Sequence, residues 1–118
     1  MKRQFAVLAI AIGLAGCAGQ SMDHARAGQP YKTLTSAKSP QQVAQCSEFT
    51  WQNQDLFGSE TEAFLHSASS GRLTVYTRGV EYFADIQPRA GATTVEFYVT
   101  AGQDGLADRR WAALATCL

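Results

Sequence analysis

The feature that most constrains the fold is a long stretch, residues 62–100, in which apolar and polar side chains alternate. Successive side chains of a β-strand point to opposite faces, so this alternation predicts half-buried strands. Turn residues divide the stretch into four segments, at Gly71, at Gly79 and between Pro88 and Gly91. Because short turns of this kind connect neighbouring antiparallel strands, the sequence predicts a four-stranded antiparallel sheet.

The turn at Gly79 sets the expected register of the two central strands. A two-residue turn there places Val75 opposite Tyr82, and the apolar faces of both strands then coincide. The same register places Arg72 opposite Asp85, so we expect a cross-strand ion pair.

Helical patterns flank the predicted sheet on both sides. Ser39 followed by Pro40, with Gln42 three positions after the serine, is typical of a capped helix start. We expect this helix to run to about Trp51, and residues 106–118 return to a helical period. The predicted fold class is α+β in the order α-β-β-β-β-α, with the N-terminal and C-terminal helices packed on one face of the sheet and the other face in solvent.

The N-terminal residues have the pattern of a secretory signal peptide. Lys2 and Arg3 precede an apolar run, residues 5–14, that is too short to remain as a membrane span. The next residues, 18–38, are polar and lack an apolar period, which favours a flexible tether.

The tetrapeptide Leu14-Ala15-Gly16-Cys17 resembles the lipobox of bacterial lipoproteins. The resemblance implies that the leader is cleaved before Cys17 and that acyl chains on this cysteine anchor the protein, since two or three chains hold a domain at a membrane. The resemblance also implies the outer membrane as the destination, because Ala18 follows the cysteine where inner-membrane lipoproteins of enteric bacteria often carry aspartate. The alternative is an ordinary secretory leader cut after Ala18, which would release a soluble periplasmic protein.

With Cys17 assigned to the lipid, Cys46 and Cys117 remain. They lie far apart in sequence, and neither belongs to a CxxC motif or adjoins a histidine, which argues against redox or metal chemistry. Disulfides persist outside the cytoplasm, so we expect Cys46 and Cys117 to form a structural disulfide.

These features divide the chain into three parts. Residues 1–16 form the signal peptide, residues 17–38 comprise the lipidated cysteine and flexible tether, and residues 39–118 form a small disulfide-closed α+β domain. This layout resembles that of small proteobacterial lipoproteins with no assigned role.

The charge balance bears on the expected partners. The chain carries ten basic and ten acidic residues, and removal of Lys2 and Arg3 with the leader leaves eight basic residues. No basic stripe is present to follow a phosphate backbone, so nucleic acid is not an expected partner. Membrane contact is expected through the lipid anchor, and the domain is expected to be monomeric.

No pattern of catalytic, metal-binding or cofactor-binding residues is found in the sequence. The two histidines are His24, in the expected tether, and His66, in the first predicted strand. Neither can be tied to a nucleophile or a carboxylate, so we expect a protein that is not an enzyme and takes no metal or cofactor.

The outward face of the predicted sheet combines aromatic and polar side chains. The candidate binding face consists of Thr74, Tyr76, Glu81, Phe83 and Tyr98. Two interpretations remain open. Such a patch is typical of a recognition surface, but aromatic residues also favour strands and stabilise them by cross-strand packing.

The leading hypothesis is a membrane-anchored envelope lipoprotein that acts as a non-catalytic binding or assembly module for another envelope component. The alternative is a structural or surface-exposed envelope protein that is recognised as an antigen. A periplasmic enzyme or inhibitor is the third hypothesis.

Overall fold

The computed structural model describes residues 16–54, 62–100 and 105–118, with side chains from residue 19 onward. Its elements are, in chain order, α1 (Gly16–Arg26), β1 (Lys32–Ser36), α2 (Pro40–Gln52), β2 (Ala63–Ser67), β3 (Leu73–Thr77), a 3₁₀ turn (Arg78–Val80), β4 (Tyr82–Arg89), β5 (Ala92–Val99) and α3 (Gly105–Ala115).

All the strands of the described residues belong to one antiparallel sheet, in the order β1-β5-β4-β3-β2. The prediction of four strands and two helices in the order α-β-β-β-β-α was therefore wrong. The described residues form five strands and three helices, and the additional elements are α1 and β1.

Strand β1 was not predicted from the sequence, because its own pattern is weak. It is a five-residue strand in which Leu34 is the single large aliphatic side chain. Its partner is β5, which is distant in sequence, and Leu34 lies opposite Val95. Pairing with a distant strand thus brings Lys32–Ser36 into the sheet, which corrects the prediction that these residues belong to a flexible tether.

The start of α2 is confirmed as a capping box. The Ser39 hydroxyl accepts a hydrogen bond from the backbone N–H of Gln42 at 3.2 Å, and the Gln42 side chain accepts one from the backbone N–H of Ser39 at 3.1 Å. These two bonds satisfy backbone donors that a helix start otherwise leaves unpaired.

The core lies between one face of the sheet and the helices α2 and α3, as expected for this pair. Trp51 of α2 and Leu114 of α3 are fully buried there with Val75 and Phe97 of the sheet. The rings of Trp51 and Phe97 meet edge to face with centroids 6.0 Å apart. We call this side of the sheet the core face.

The predicted disulfide is present and closes the core face at its edge. It joins Cys46 of α2 to Cys117, just beyond α3, with the two Cα atoms 5.6 Å apart. The bridge connects α2 to the segment that follows α3, in agreement with the structural role expected from the cysteine count.

The turn between β3 and β4 is longer than the predicted two-residue turn. Gly79 has a φ of 79°, which glycine adopts without strain, and the turn continues to Glu81. Val75 therefore lies opposite Ala84 rather than Tyr82. This is a shift of two residues, and because side chains alternate with a period of two, each side chain keeps its predicted face.

Candidate functional site

The sheet face opposite the core face is covered in part by α1. Val80, Phe83 and Tyr98 form a second buried cluster, and Met22 and Ala25 of α1 pack against it. The expectation that this face lies open to solvent is therefore wrong where α1 crosses it. We call this side of the sheet the second face.

The structure separates the five residues of the candidate binding face by exposure. Phe83 and Tyr98 are buried under α1, Thr74 is buried beside them, and Tyr76 is half-buried. Glu81 is exposed and lies in the turn before β4 rather than on a strand.

The aromatic members of this set form one continuous row across the sheet, which we call the aromatic row. Tyr76 lies opposite Phe83, Phe83 lies opposite Tyr98, and Phe64 of β2 extends the row beyond Tyr76. The rings of Phe83 and Tyr98 stack with centroids 4.7 Å apart, and those of Phe64 and Tyr76 are 5.4 Å apart. Phe64 is 40% exposed whereas Phe83 is fully buried, so α1 covers one half of the row and leaves the other half open.

A polar row runs beside the aromatic row. Its members lie opposite one another across all five strands, in the order His66, Thr74, Asp85, Glu96 and Thr33. Asp85 at its centre is buried, with 4% of its surface exposed.

Arg26 of α1 binds this buried carboxylate with two hydrogen bonds. Its Nε donates to Asp85 Oδ2 at 2.6 Å, and its Nη2 donates to Asp85 Oδ1 at 2.8 Å. Nη2 also lies 3.2 Å from the Thr74 hydroxyl, and the guanidinium group lies over the Phe83 ring, 5.2 Å from its centroid. Arg26 thus contacts both rows, and its bonds to Asp85 raise its own pKa.

A second arginine lies close to the same carboxylate. Arg72 Nε is 3.8 Å from Asp85 Oδ1, which is close enough for an ion pair and too long for a hydrogen bond. Within the described part of the chain this buried Nε has no hydrogen-bond partner. The predicted ion pair between Arg72 and Asp85 therefore exists as a loose diagonal contact, while Thr74 lies directly opposite Asp85.

Tyr98, which α1 also covers, is hydrogen-bonded to a carboxylate on its own strand. The Tyr98 hydroxyl donates to Glu96 Oε2 at 2.7 Å. Burial of the phenol, together with this bond, raises the pKa of Tyr98.

Other chemistry is limited among the residues that the structure describes. No cluster of three or more His, Cys, Asp or Glu side chains there could hold a metal ion. His66 and His24 are both exposed. Within the same ranges, none of the helices is sufficiently long and apolar to cross a bilayer.

Sequence reasoning missed Arg26 and Phe64, the two residues that define the covered and open halves of the second face. Arg26 lay in the segment assigned to the tether, and nothing local distinguishes it from a solvated charge. Phe64 alternates with Ala63 and Leu65 in a weakly patterned strand, so its face was not assigned.

Comparison of the chain with protein-family models, with curated proteins and with solved structures finds no match.

Proposed function

We propose that this protein is a lipid-anchored, non-catalytic binding or assembly module of the bacterial outer membrane, tethered through Cys17. Its partner is another envelope protein, which it holds through the second face of the sheet. The observation that carries the proposal is the aromatic row, a run of four aromatic residues at opposite positions on neighbouring strands, of which α1 covers only half.

The open half of the row has the character of a recognition surface. At this edge of the sheet the ring of Phe64 lies beside that of the half-buried Tyr76, and Phe64 is one of two large apolar side chains that stay exposed among the described residues. Aromatic side chains contribute large contact areas with few rotatable bonds, and they are enriched where proteins bind one another.

The position of α1 relative to the expected anchor supports a partner near the membrane. Cys17 is the second residue of α1, and Arg26 is its last. The helix between them spans about 14 Å at a rise of about 1.5 Å per residue. A lipid on Cys17 would therefore keep the second face close to the bilayer.

The anchor is tested by replacing Cys17 with serine in the full chain and fractionating the cells. We expect loss of membrane association, because the remaining contacts of the domain with lipid are weak without the acyl chains. Undiminished recovery of Cys17→Ser with the membranes would contradict the anchor.

The binding face is tested by photo-crosslinking in intact cells, with a photoreactive residue at Phe64 or at Phe49. Both positions are exposed, at 40% and 67%, but Phe49 lies on α2, on the other side of the sheet. We expect one discrete adduct from position 64, absent at position 49 and lost when Cys17→Ser is combined with it. Equal adducts at both positions, or none at position 64, would refute the proposed face.

A further inference from the structure

We propose that α1 is a releasable cover of the second face, and that Asp85 exchanges Arg26 for Arg72 when α1 leaves. Release uncovers Phe83 and Tyr98, and the vacated surface accepts a partner helix with the chemistry of α1 itself. The release is a property of this chain alone, whereas the partner helix rests on the function proposed above.

The attachment of α1 is slight for an element that covers a buried cluster. The helix has 11 residues, and helices of this length are marginal in water without tertiary contacts. Among its described side chains, those from residue 19 onward, the apolar contacts come from Met22 and Ala25, which are only half-buried. Arg26 is therefore the principal attachment, through Asp85, Thr74 and the Phe83 ring.

A buried carboxylate would normally prevent such a release. Removal of one partner from a buried ion pair is strongly unfavourable, because the remaining charge is left without compensation. Departure of Arg26 opens the α1 side of Asp85 to water, but it also breaks both charged hydrogen bonds of this carboxylate, which is otherwise buried.

Arg72 removes much of this obstacle. Its Nε lies 3.8 Å from Asp85 Oδ1, and it is a buried donor that no other described residue satisfies. Buried polar groups in folded proteins are nearly always paired, so an unpaired donor beside a carboxylate calls for an explanation. A shift of under 1 Å would bring the two atoms to hydrogen-bond distance, at about 2.9 Å.

The uncovered surface would accept a defined kind of helix. α1 contacts the surface with a methionine, then a small residue three positions later and an arginine four positions later, which places the three on one helical face. A partner helix that presents an apolar residue and an arginine with this spacing would reproduce the contacts of α1.

Hydrogen exchange of the full chain, followed on peptides that cover residues 19–26, tests the release. Arg26→Gln should abolish protection of α1 while leaving β4 and β5 protected. Arg26→Lys keeps the charge but loses the bidentate geometry, so its exchange rate in α1 should lie between those of Arg26→Gln and the native chain. Unchanged exchange of α1 in Arg26→Gln would overturn the proposal.

Arg72→Gln provides the sharper test, because the proposal requires that removing a positive charge beside Asp85 slows the hydrogen exchange of α1. Without its second partner, Asp85 holds Arg26 more tightly, and α1 should exchange about tenfold more slowly, as expected for one lost charged hydrogen bond in the released state. Arg89→Gln, an exposed arginine at the end of β4, is the matched control and should leave α1 unchanged. Faster or unchanged exchange of α1 in Arg72→Gln would refute the exchange of partners.

The partner helix is tested separately with a helix-stapled peptide of residues 18–26 as the probe. It should bind the Arg26→Gln full chain, and a peptide with glutamine at position 26 should bind at least tenfold more weakly. Release of α1 without peptide binding would refute the proposed partner chemistry, but it would still support α1 as a releasable cover. Loss of the cellular adduct at Phe64 with normal release would instead reject the proposed function.

Discussion

The two faces of the sheet are held by different kinds of interaction. On the core face, α2 and α3 bury a continuous set of large side chains around Phe97, and a disulfide joins the segments that carry them. On the second face, a short helix covers a small aromatic cluster and is attached mainly by the pair between Arg26 and Asp85. Apolar burial grows with the area removed from water and has no directional requirement, whereas a buried ion pair contributes little net stability. The core face therefore stabilises the domain, and the second face suits a contact that can be exchanged.

The largest test of this contrast replaces a buried phenylalanine on each face. Phe97→Ala should lower the free energy of unfolding by about 3–5 kcal/mol, because a rigid core leaves a cavity behind. Phe83→Ala should cost less, although both side chains are fully buried, because α1 can move into the space. Chemical denaturation measures both, and an equal loss would mean that α1 is held as firmly as the core helices.

Removal of the disulfide should follow in size. The double change Cys46→Ala and Cys117→Ala should lower the free energy of unfolding by roughly 2–4 kcal/mol, since the bridge restricts the unfolded chain. The loss should appear in global denaturation, while the local exchange of α1 under native conditions stays the same. Selective loosening of α1 would show that the second face depends on the bridge.

Thr74→Val probes the polar row without removing volume. The Thr74 hydroxyl donates to Asp85 Oδ1 at 2.8 Å and lies within hydrogen-bond distance of Arg26, so its loss should cost about 1 kcal/mol. We expect the cost to vanish in an Arg26→Gln background, where α1 is released and Asp85 is open to both water and Arg72. A double-mutant cycle measures this coupling, and strict additivity would show that the three side chains act independently.

The smallest effect concerns alkaline pH. Burial raises the pKa of Tyr98 above its ordinary value of 10.0, so the fold favours the neutral phenol. The resulting stability is fully present below pH 10 and is lost as the pH rises beyond it. Tyr98→Phe should flatten this part of the pH profile in thermal melts. Arg26→Gln should shift the absorbance titration of the phenol to lower pH, because release of α1 removes burial, the largest cause of the raised pKa, and this outweighs loss of the Arg26 charge, which lowers it. An unaltered profile in Tyr98→Phe would place the alkaline loss elsewhere.

Local patterns predicted the elements whose secondary structure can be identified from the residues of the segment alone. Alternation identified the four strands β2 to β5, and the serine, proline and glutamine at positions 39, 40 and 42 identified the start of α2. The register of β3 and β4 was wrong by two residues, yet Thr74, Tyr76 and Phe83 kept their face because the period of a strand is two. The pairing of Cys46 with Cys117 followed from the cysteine count once Cys17 was set aside.

The tertiary structure alone decided what happens on the second face. The residues of α1 and β1 have no strong local pattern. Short helices and edge strands with few apolar side chains become stable only through contacts with distant parts of the chain, so a local pattern does not predict them. Arg26 and Asp85 are 59 positions apart, so no local signal relates them. By itself the sequence determined which side chains share a face of the sheet. Long-range packing decided that α2 and α3 cover one face, and that α1, attached mainly through Arg26, covers part of the other.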